Sequence, residues 1–554
     1  MRGAQVFMDS LLLHGATRIF GNPGTTENSM LDRLIDYPDI EYYVALHEGV
    51  AVGAASFYAL ASETTGVANL HVAPGLGNGI GMIFNALKAN APLIVTAGQQ
   101  DTRMRLQEPL LSHDLVAMAD PVTKWSVEPQ SADEMGPIMQ RAFKIANDHP
   151  RGPVFISLPV NVMEQETTVA ASTSGTLERA GVPHANNLLQ LTTLLQAALS
   201  PAILVGDDVA TDGAVAQVVA LAEKLGAPVF HEGLRCQISF PNQHPNHRGA
   251  IPFEAAHTHE MLARYDLVLM LGGHFFEDIW FDVKSPIPDS TRLIQINSNQ
   301  VQLAAKISVD LGLVGDLNAT LEQLLARLGE ATSEDSEHAA AQRNSALAEE
   351  HQAIQADHAA RLERLWDSSP MSPGRAIREI SQALPEDTIV VDESITASLE
   401  TGTHFDFRQP GDYFAGRGGG IGQGIAAAIG VQVAQPGRRV LALSGDGSAM
   451  YSIQALWTAA HHALPIVFVI LANREYRVLK HNMDIYRARF GVGSNKPYPN
   501  MDLSSPVLDF PALAQGMGVS AERISDADAL AGAIENAFAT NAPYLIEVVI
   551  SGMQ

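Results

Sequence analysis

The sequence predicts an α/β protein made of three doubly wound parallel-sheet domains, and three observations lead there. At 554 residues the chain is too long for a single core and should divide into about three domains. Short apolar runs of strand length, such as Val154–Leu158, Ala202–Gly206 and Val440–Ser444, alternate with longer segments of helical character, as in parallel sheets joined by helical crossovers. A hydrophobic content of 46% and a charged content of 17% are those of an ordinary soluble globular protein.

In chain order, residues 1–166 form the first domain. Thr167–Gly181, rich in Ser, Thr and Gly, reads as a linker. Residues 182–329 form a central α/β domain with strand-like runs at Ala202–Gly206, Leu267–Gly273 and Leu293–Asn297. Residues 330–370 are a helical linker, because Glu330–Arg364 has helical periodicity but little apolar content and so predicts an exposed connection. Residues 371–554 form the third domain. Within it Val440–Ser444 reads as a strand, Gly445-Asp446-Gly447 as a turn, Ala449–Ala463 as an amphipathic helix and Ile466–Leu471 as a buried strand.

Charge and cysteine content narrow the function. A formal net charge of -26 disfavours nucleic acid and anionic membrane surfaces as partners, since both would be repelled. One cysteine, Cys236, excludes an intramolecular disulfide framework and suits a reducing compartment. Asp9 interrupts the apolar run near the start, so no signal peptide is read there. The longest apolar stretches, such as Leu464–Ala472, reach about half of a membrane span. These readings together predict a cytoplasmic protein.

The third domain carries the sharpest chemical signal. Two parallel strands joined by one helix and lying side by side are about 4.8 Å apart, with Asp446 and Asn473 both at carboxyl ends, where open α/β sheets bind ligands. Magnesium takes about six hard oxygen ligands and shares some with phosphate. A carboxylate from Asp446, an amide oxygen from Asn473 and the backbone carbonyl of Glu475 supply the protein's part. Amides opening the following helix, with Gly445, Gly447 and the hydroxyl of Ser448, can hold a diphosphate.

The run GDGSAMYSIQALWTAAHHALPIVFVILAN resembles the cofactor motif of thiamine diphosphate enzymes, which starts with Gly-Asp-Gly and ends in Asn-Asn. Here the first Asn is Ala472 and the second, the family's ligand, is Asn473. Likeness to the benzoylformate decarboxylase family extends along nearly the whole chain, through Gly21–Glu27 (GNPGTTE), His47-Glu48, Leu70–Asn78 (LHVAPGLGN), Thr96–Gln100 (TAGQQ), Gly418–Gly430 (GGGIGQGIAAAIG) and Tyr451–Ala460. The resemblance implies thiamine diphosphate and Mg2+ as cofactors and non-oxidative decarboxylation of a 2-oxo acid to an aldehyde and carbon dioxide. It also implies a homodimer or homotetramer with the site at the subunit interface.

By the same resemblance Glu48 bonds the aminopyrimidine, and an apolar setting would raise its pKa. His71 shuttles substrate protons, and Thr25 takes the family's catalytic serine position. Gly419 offers its carbonyl to the cofactor's amino group, Ile421 props the cofactor into its bent shape, and Thr396 and Tyr476 fall on phosphate-side positions. The family's second catalytic histidine falls on Ile279, so that function is either missing or supplied by His113, His481 or, through a rearranged loop, His274. Asn482 replaces an aromatic pocket residue, and Arg477 and Lys480 point to an extra anionic group on the substrate. Two other functions stay open: a carboligase or lyase of the acetolactate synthase type without FAD, and a non-catalytic cofactor-binding paralogue.

Overall fold

The computed structural model describes the chain apart from residues 178–180, 278, 332 and 553–554. The linker expected at Thr167–Gly181 therefore runs partly outside the described residues. Three six-stranded parallel sheets carry the fold. The first comprises β1 (Arg18–Gly21), β2 (Glu41–Val44), β3 (Gly66–Leu70), β4 (Leu93–Gln99), β5 (Trp125–Val127) and β6 (Pro153–Pro159), in the order β2-β1-β3-β4-β6-β5. The second comprises β7 (Pro201–Val205), β8 (Val229–His231), β9 (His247–Ala250), β10 (Leu267–Leu271), β11 (Arg292–Asn297) and β12 (Leu311–Val314), in the order β12-β11-β10-β7-β8-β9. The third comprises β13 (Ile389–Glu393), β14 (Tyr413–Ala415), β15 (Val440–Gly445), β16 (Ile466–Ala472), β17 (Ser520–Ile524) and β18 (Tyr544–Val549), in the order β14-β13-β15-β16-β18-β17.

The chain forms two compact units. One contains Met1–Leu177, Leu365–Thr401 and Phe414–Gln554, and the other Glu178–Arg364 with Gly402–Tyr413. The first and third sheets thus share a unit. Their central strands β4 and β16 are buried along their whole lengths, which explains why they read as continuous apolar runs rather than as alternating ones.

Two small-residue helices join these sheets. Helix Glu48–Ser62 packs on helix Gln423–Ala434 so closely that a Cβ on Gly430 would lie 1.9 Å from the carbonyl oxygen of Ala54, and one on Gly53 would lie 2.9 Å from the Cβ of Ala426. Glycine is the residue that permits such an approach. Both helices are apolar nearly all round because neighbours cover them on nearly every side.

One local expectation needs correction and another, the exposed helix at Glu334–Arg364, is met with an addition. The helix expected over Ala449–Ala463 is split into Asp446–Ala449 and Ala455–His461. Between them the backbone closes onto the residue three back, as in Tyr451 N to Ser448 O and Ala455 N to Ser452 O, at Ser452 and the β-branched Ile453, both weak helix formers. The helix Glu334–Arg364 is not a free connection either. Arg343 donates to the Leu225 carbonyl at 2.6 Å and Asn344 to the Glu223 carbonyl at 2.7 Å, which fastens it to the central sheet's unit through polar side chains.

Candidate active site

In the first and third sheets the chain steps from the opening strand to one neighbour and then returns to its other side, between β1 and β3 and between β13 and β15. Ligands of open α/β sheets bind at the carboxyl ends of strands at such reversals. His71 directly follows β3, and Asp446 directly follows β15. Both residues singled out by sequence therefore stand at the topologically favoured place.

Around Asp446 the register pairs Gly445 with Leu471, so Asp446 and Asn473 emerge from adjacent strand ends. The Asp446 carboxylate is 4% exposed and accepts from Gly447 N at 2.8 Å and Arg474 N at 2.6 Å. Burial raises its pKa against the pull of these amides. Asn473 Oδ1 accepts from Glu475 N at 3.0 Å. Gly445 ends β15 with open space at its Cβ position, while a Cβ on Gly447 would lie 2.6 Å from the Tyr476 ring. Ser448 is buried in the short helix that follows. Glu475 spends its side chain on an ion pair with Lys480, which leaves its backbone carbonyl for a metal and removes Lys480 as a free cation for substrate. Arg477 makes no ion pair among the described residues.

The glycine-rich loop before helix Gln423–Ala434 holds Gly419 and Ile421. Gly418, Gly419 and Gly422 have φ of +90°, +77° and +93°, a region that L side chains avoid. Gly419 is exposed and Ile421 half-buried. Thr396 lies in the short 3-10 turn Ile395–Ala397 after β13.

At the N-terminal reversal Glu48 is the first residue of its helix, buried, and its carboxylate accepts from Asn78 at 3.0 Å and Asn22 at 3.3 Å. Its setting is thus built from amide donors rather than from apolar groups alone. A Cβ on Gly75 would lie 2.8 Å from its Oε1. His71 Nδ1 stands 2.9 Å from Glu27 Oε2. That glutamate was not recognised as functional from sequence, yet it is almost fully satisfied: Oε1 accepts from Gly98 N at 2.8 Å and Thr26 Oγ1 at 2.9 Å, and Oε2 also from Gly24 N at 2.8 Å. As a carboxylate Glu27 only accepts, so Nδ1 of His71 carries a proton, which leaves Nε2 as the acceptor of the neutral ring. Thr25 is exposed at the same turn, whereas Thr26 points inward.

Strained backbone marks the same places. Val72 (φ +42°), Ile395 (φ +56°) and Arg474 (φ +59°) adjoin His71, Thr396 and Asn473, and non-glycine residues persist there only where the surroundings hold them. The possible substitutes for a second histidine scatter. His113 and His481 are exposed, Ile279 is 62% exposed, and His274 packs against Gln302 in the central unit.

The donors fit a divalent cation and a diphosphate. A buried carboxylate that among the described residues accepts from backbone amides, a neighbouring amide oxygen and the open space beside Gly445 make an oxygen-rich site. Among the described residues no cluster of three His, Cys, Asp or Glu competes for a metal, and no helix is long and apolar enough to cross a membrane.

Comparison with known proteins agrees with this geometry. The N-terminal thiamine pyrophosphate (TPP) binding domain of TPP enzymes matches residues 1–118, their central domain residues 188–324, and their C-terminal TPP binding domain residues 396–548. A benzoylformate decarboxylase from Pseudomonas aeruginosa is 36% identical over 97% of this chain and 96% of its own. A probable acetolactate synthase large subunit from Methanocaldococcus jannaschii is 26% identical over 99% of this chain and 92% of its own. The solved structure of a thiamine diphosphate-dependent 4-hydroxybenzoylformate decarboxylase from Rhodococcus jostii superposes with a TM-score of 0.86 at 29% identity, covering 100% of this chain and 99% of that one. The chain belongs to the thiamine diphosphate-dependent enzymes.

Proposed function

We propose that this enzyme decarboxylates a 2-oxo acid without oxidation, releasing carbon dioxide and an aldehyde. The observation that carries the reading is the proton-handling set at the N-terminal reversal, Glu48 held by two asparagines and His71 held by Glu27, in a chain 36% identical to a benzoylformate decarboxylase. Bound thiamine diphosphate supplies the electron sink. Asp446, Asn473 and the Glu475 carbonyl hold Mg2+ with the diphosphate, assisted by Gly445, Gly447 and Ser448, with Thr396 and Tyr476 alongside. Gly419 and Ile421 position the aminopyrimidine. The Glu48 carboxylate would hold a proton toward the aminopyrimidine, His71 Nε2 would serve substrate oxygen or carbon, and the Thr25 hydroxyl would bond the substrate carboxylate.

Within one chain, helix Val72–Lys88 meets Glu48 through Asn78 and the glycine loop through Asn85, two helical turns or about 10 Å apart. The reading takes the site to be completed by a second copy of the chain, as the resemblance implies. Release of carbon dioxide and aldehyde from a panel of 2-oxo acids, benzoylformate included, tests the reading. Carboligation is the second reading, favoured by acetolactate synthase relatives that match nearly the whole chain. Acyloin formation from pyruvate without free aldehyde would establish it instead. A silent paralogue is disfavoured by the retention of Glu48, Asp446 and Asn473.

A further inference from the structure

The glycine loop at 418–422 poses a physical problem. Three of its five residues adopt positive φ, and glycine loses more conformational freedom on ordering than any other residue. A loop of this composition stays in one shape only when something outside it supplies the bonds. Besides the adjoining Gln423, whose Nε2 donates to the Gly420 carbonyl at 2.7 Å and the Arg417 carbonyl at 3.1 Å, two side chains from elsewhere do so. Glu393, the last residue of β13, is buried, and its Oε1 accepts from Gly422 N at 2.9 Å and Gln423 N at 3.0 Å while Oε2 accepts from Gly424 N at 2.9 Å. Asn85, also buried, donates Nδ2 to the Gly420 carbonyl at 3.0 Å and accepts from Gly420 N at 3.2 Å, so one side-chain amide fixes the two peptide groups that flank the Gly420 Cα.

The glycines answer to Asn85 as well as to the backbone angles. A Cβ on Gly418 would lie 2.6 Å from Asn85 Oδ1, and one on Gly420 would lie 2.6 Å from Asn85 Nδ2. Half-buried Ile421 sits between the two clamped points, and exposed Gly419 immediately precedes the first. We infer that Glu393 and Asn85 are positioning residues that preorganise this loop to receive the pyrimidine end of the cofactor. This rests on the proposed roles of Gly419 and Ile421. The diphosphate end, at Asp446 and Asn473, makes its hydrogen bonds to Gly447, Arg474 and Glu475 rather than to Glu393 or Asn85.

That division sets the test. Calorimetric titration with Mg2+ present compares thiamine diphosphate with inorganic pyrophosphate for the wild-type chain, Glu393→Gln and Asn85→Ala. Glutamine offers one acceptor oxygen where the carboxylate offers two, so at least one loop amide loses its partner. Alanine removes both Asn85 bonds to Gly420 and leaves the one from Gln423. Each variant should bind thiamine diphosphate about tenfold or more weakly, with pyrophosphate affinity held within about twofold. Loss of both ligands in parallel would mean general damage and would overturn the clamp, as would unchanged thiamine diphosphate affinity in the variants. Two independent variants keep the test alive if one fails to fold. Uptake of neither ligand by the wild-type chain would sink the cofactor reading itself, and is thereby distinguished from failure of the clamp.

Discussion

The first and third sheets repeat one strand order, yet the residues at equivalent strand ends do different chemistry. After β3 comes His71, paired with Glu27; after β15 comes Asp446, held by backbone amides. The helix that follows β2 begins with Glu48, while its counterpart after β14 begins at Gln423 behind a glycine cap. One end of the pair is rich in groups that exchange protons and the other in groups that bind anions and cations. Topology fixes where a ligand meets the sheet, and the side chains placed there decide whether that end holds or reacts. Packing of the two equivalent helices against each other brings the two kinds of end into one unit.

This contrast breaks most visibly at Glu48. Glu48→Gln keeps the shape and one of the two asparagine contacts but cannot exchange a proton, so turnover should fall by ~10³-fold while calorimetry still records joint uptake of thiamine diphosphate and Mg2+. Undiminished turnover would remove Glu48 from the chemistry. Asp446→Ala should do the reverse, weakening joint uptake by about 10²-fold or more, because the buried oxygen ligand is gone and nothing else replaces its charge. If uptake survived in that variant, the holding end would have been misplaced.

Glu27 sharpens the comparison within the reacting end. Four donors converge on its carboxylate, and glutamine would leave two of them unpaired and free the His71 tautomer. A loss of about 10 to 10² in kcat, with cofactor affinity little changed, is expected from the role of outer partners of reactive groups. Steady-state kinetics at saturating cofactor reads it, and an effect confined to cofactor affinity would argue that Glu27 supports the fold alone.

What the sequence disclosed follows from which contacts are local. Asp446 and Asn473 were legible because one strand, one helical segment and one strand place them side by side without help from elsewhere, and the register confirms the adjacency. Glu48 was legible as the opening residue of a small-residue helix. Glu27 was not, because its partners are Gly98 and His71, distant in sequence and joined only by sheet topology. Asn85 and Glu393 were hidden for the same reason. The docking of helix Glu334–Arg364 escaped notice because polar side chains reaching backbone carbonyls, rather than an apolar stripe, fasten it. The split in the helix after Asp446 was a matter of local hydrogen-bond spacing that periodicity does not resolve.

The smallest expected effect separates the two ends by pH. Burial raises the Glu393 carboxyl from its ordinary 4.5 to about 7, against the pull of the three loop amides and with Asp392 adding to the rise. A raised carboxyl means that the folded chain holds a proton which the unfolded chain has already released between those two values. Stability from this group is therefore greatest below 4.5, declines as pH climbs toward 7, and is level above it. Glu393→Gln carries no such proton, so the difference in thermal midpoint, wild type minus variant, should drift downward across that window by about 2 to 3 °C for a chain of this size. The holding end, where Asp446 is also raised, contributes in the same direction in both proteins and cancels in the difference. A difference that stays flat from pH 4.5 to pH 8 would mean that the loop amides, rather than burial, govern the carboxyl, and that Glu393 grips the glycine loop as an anion throughout.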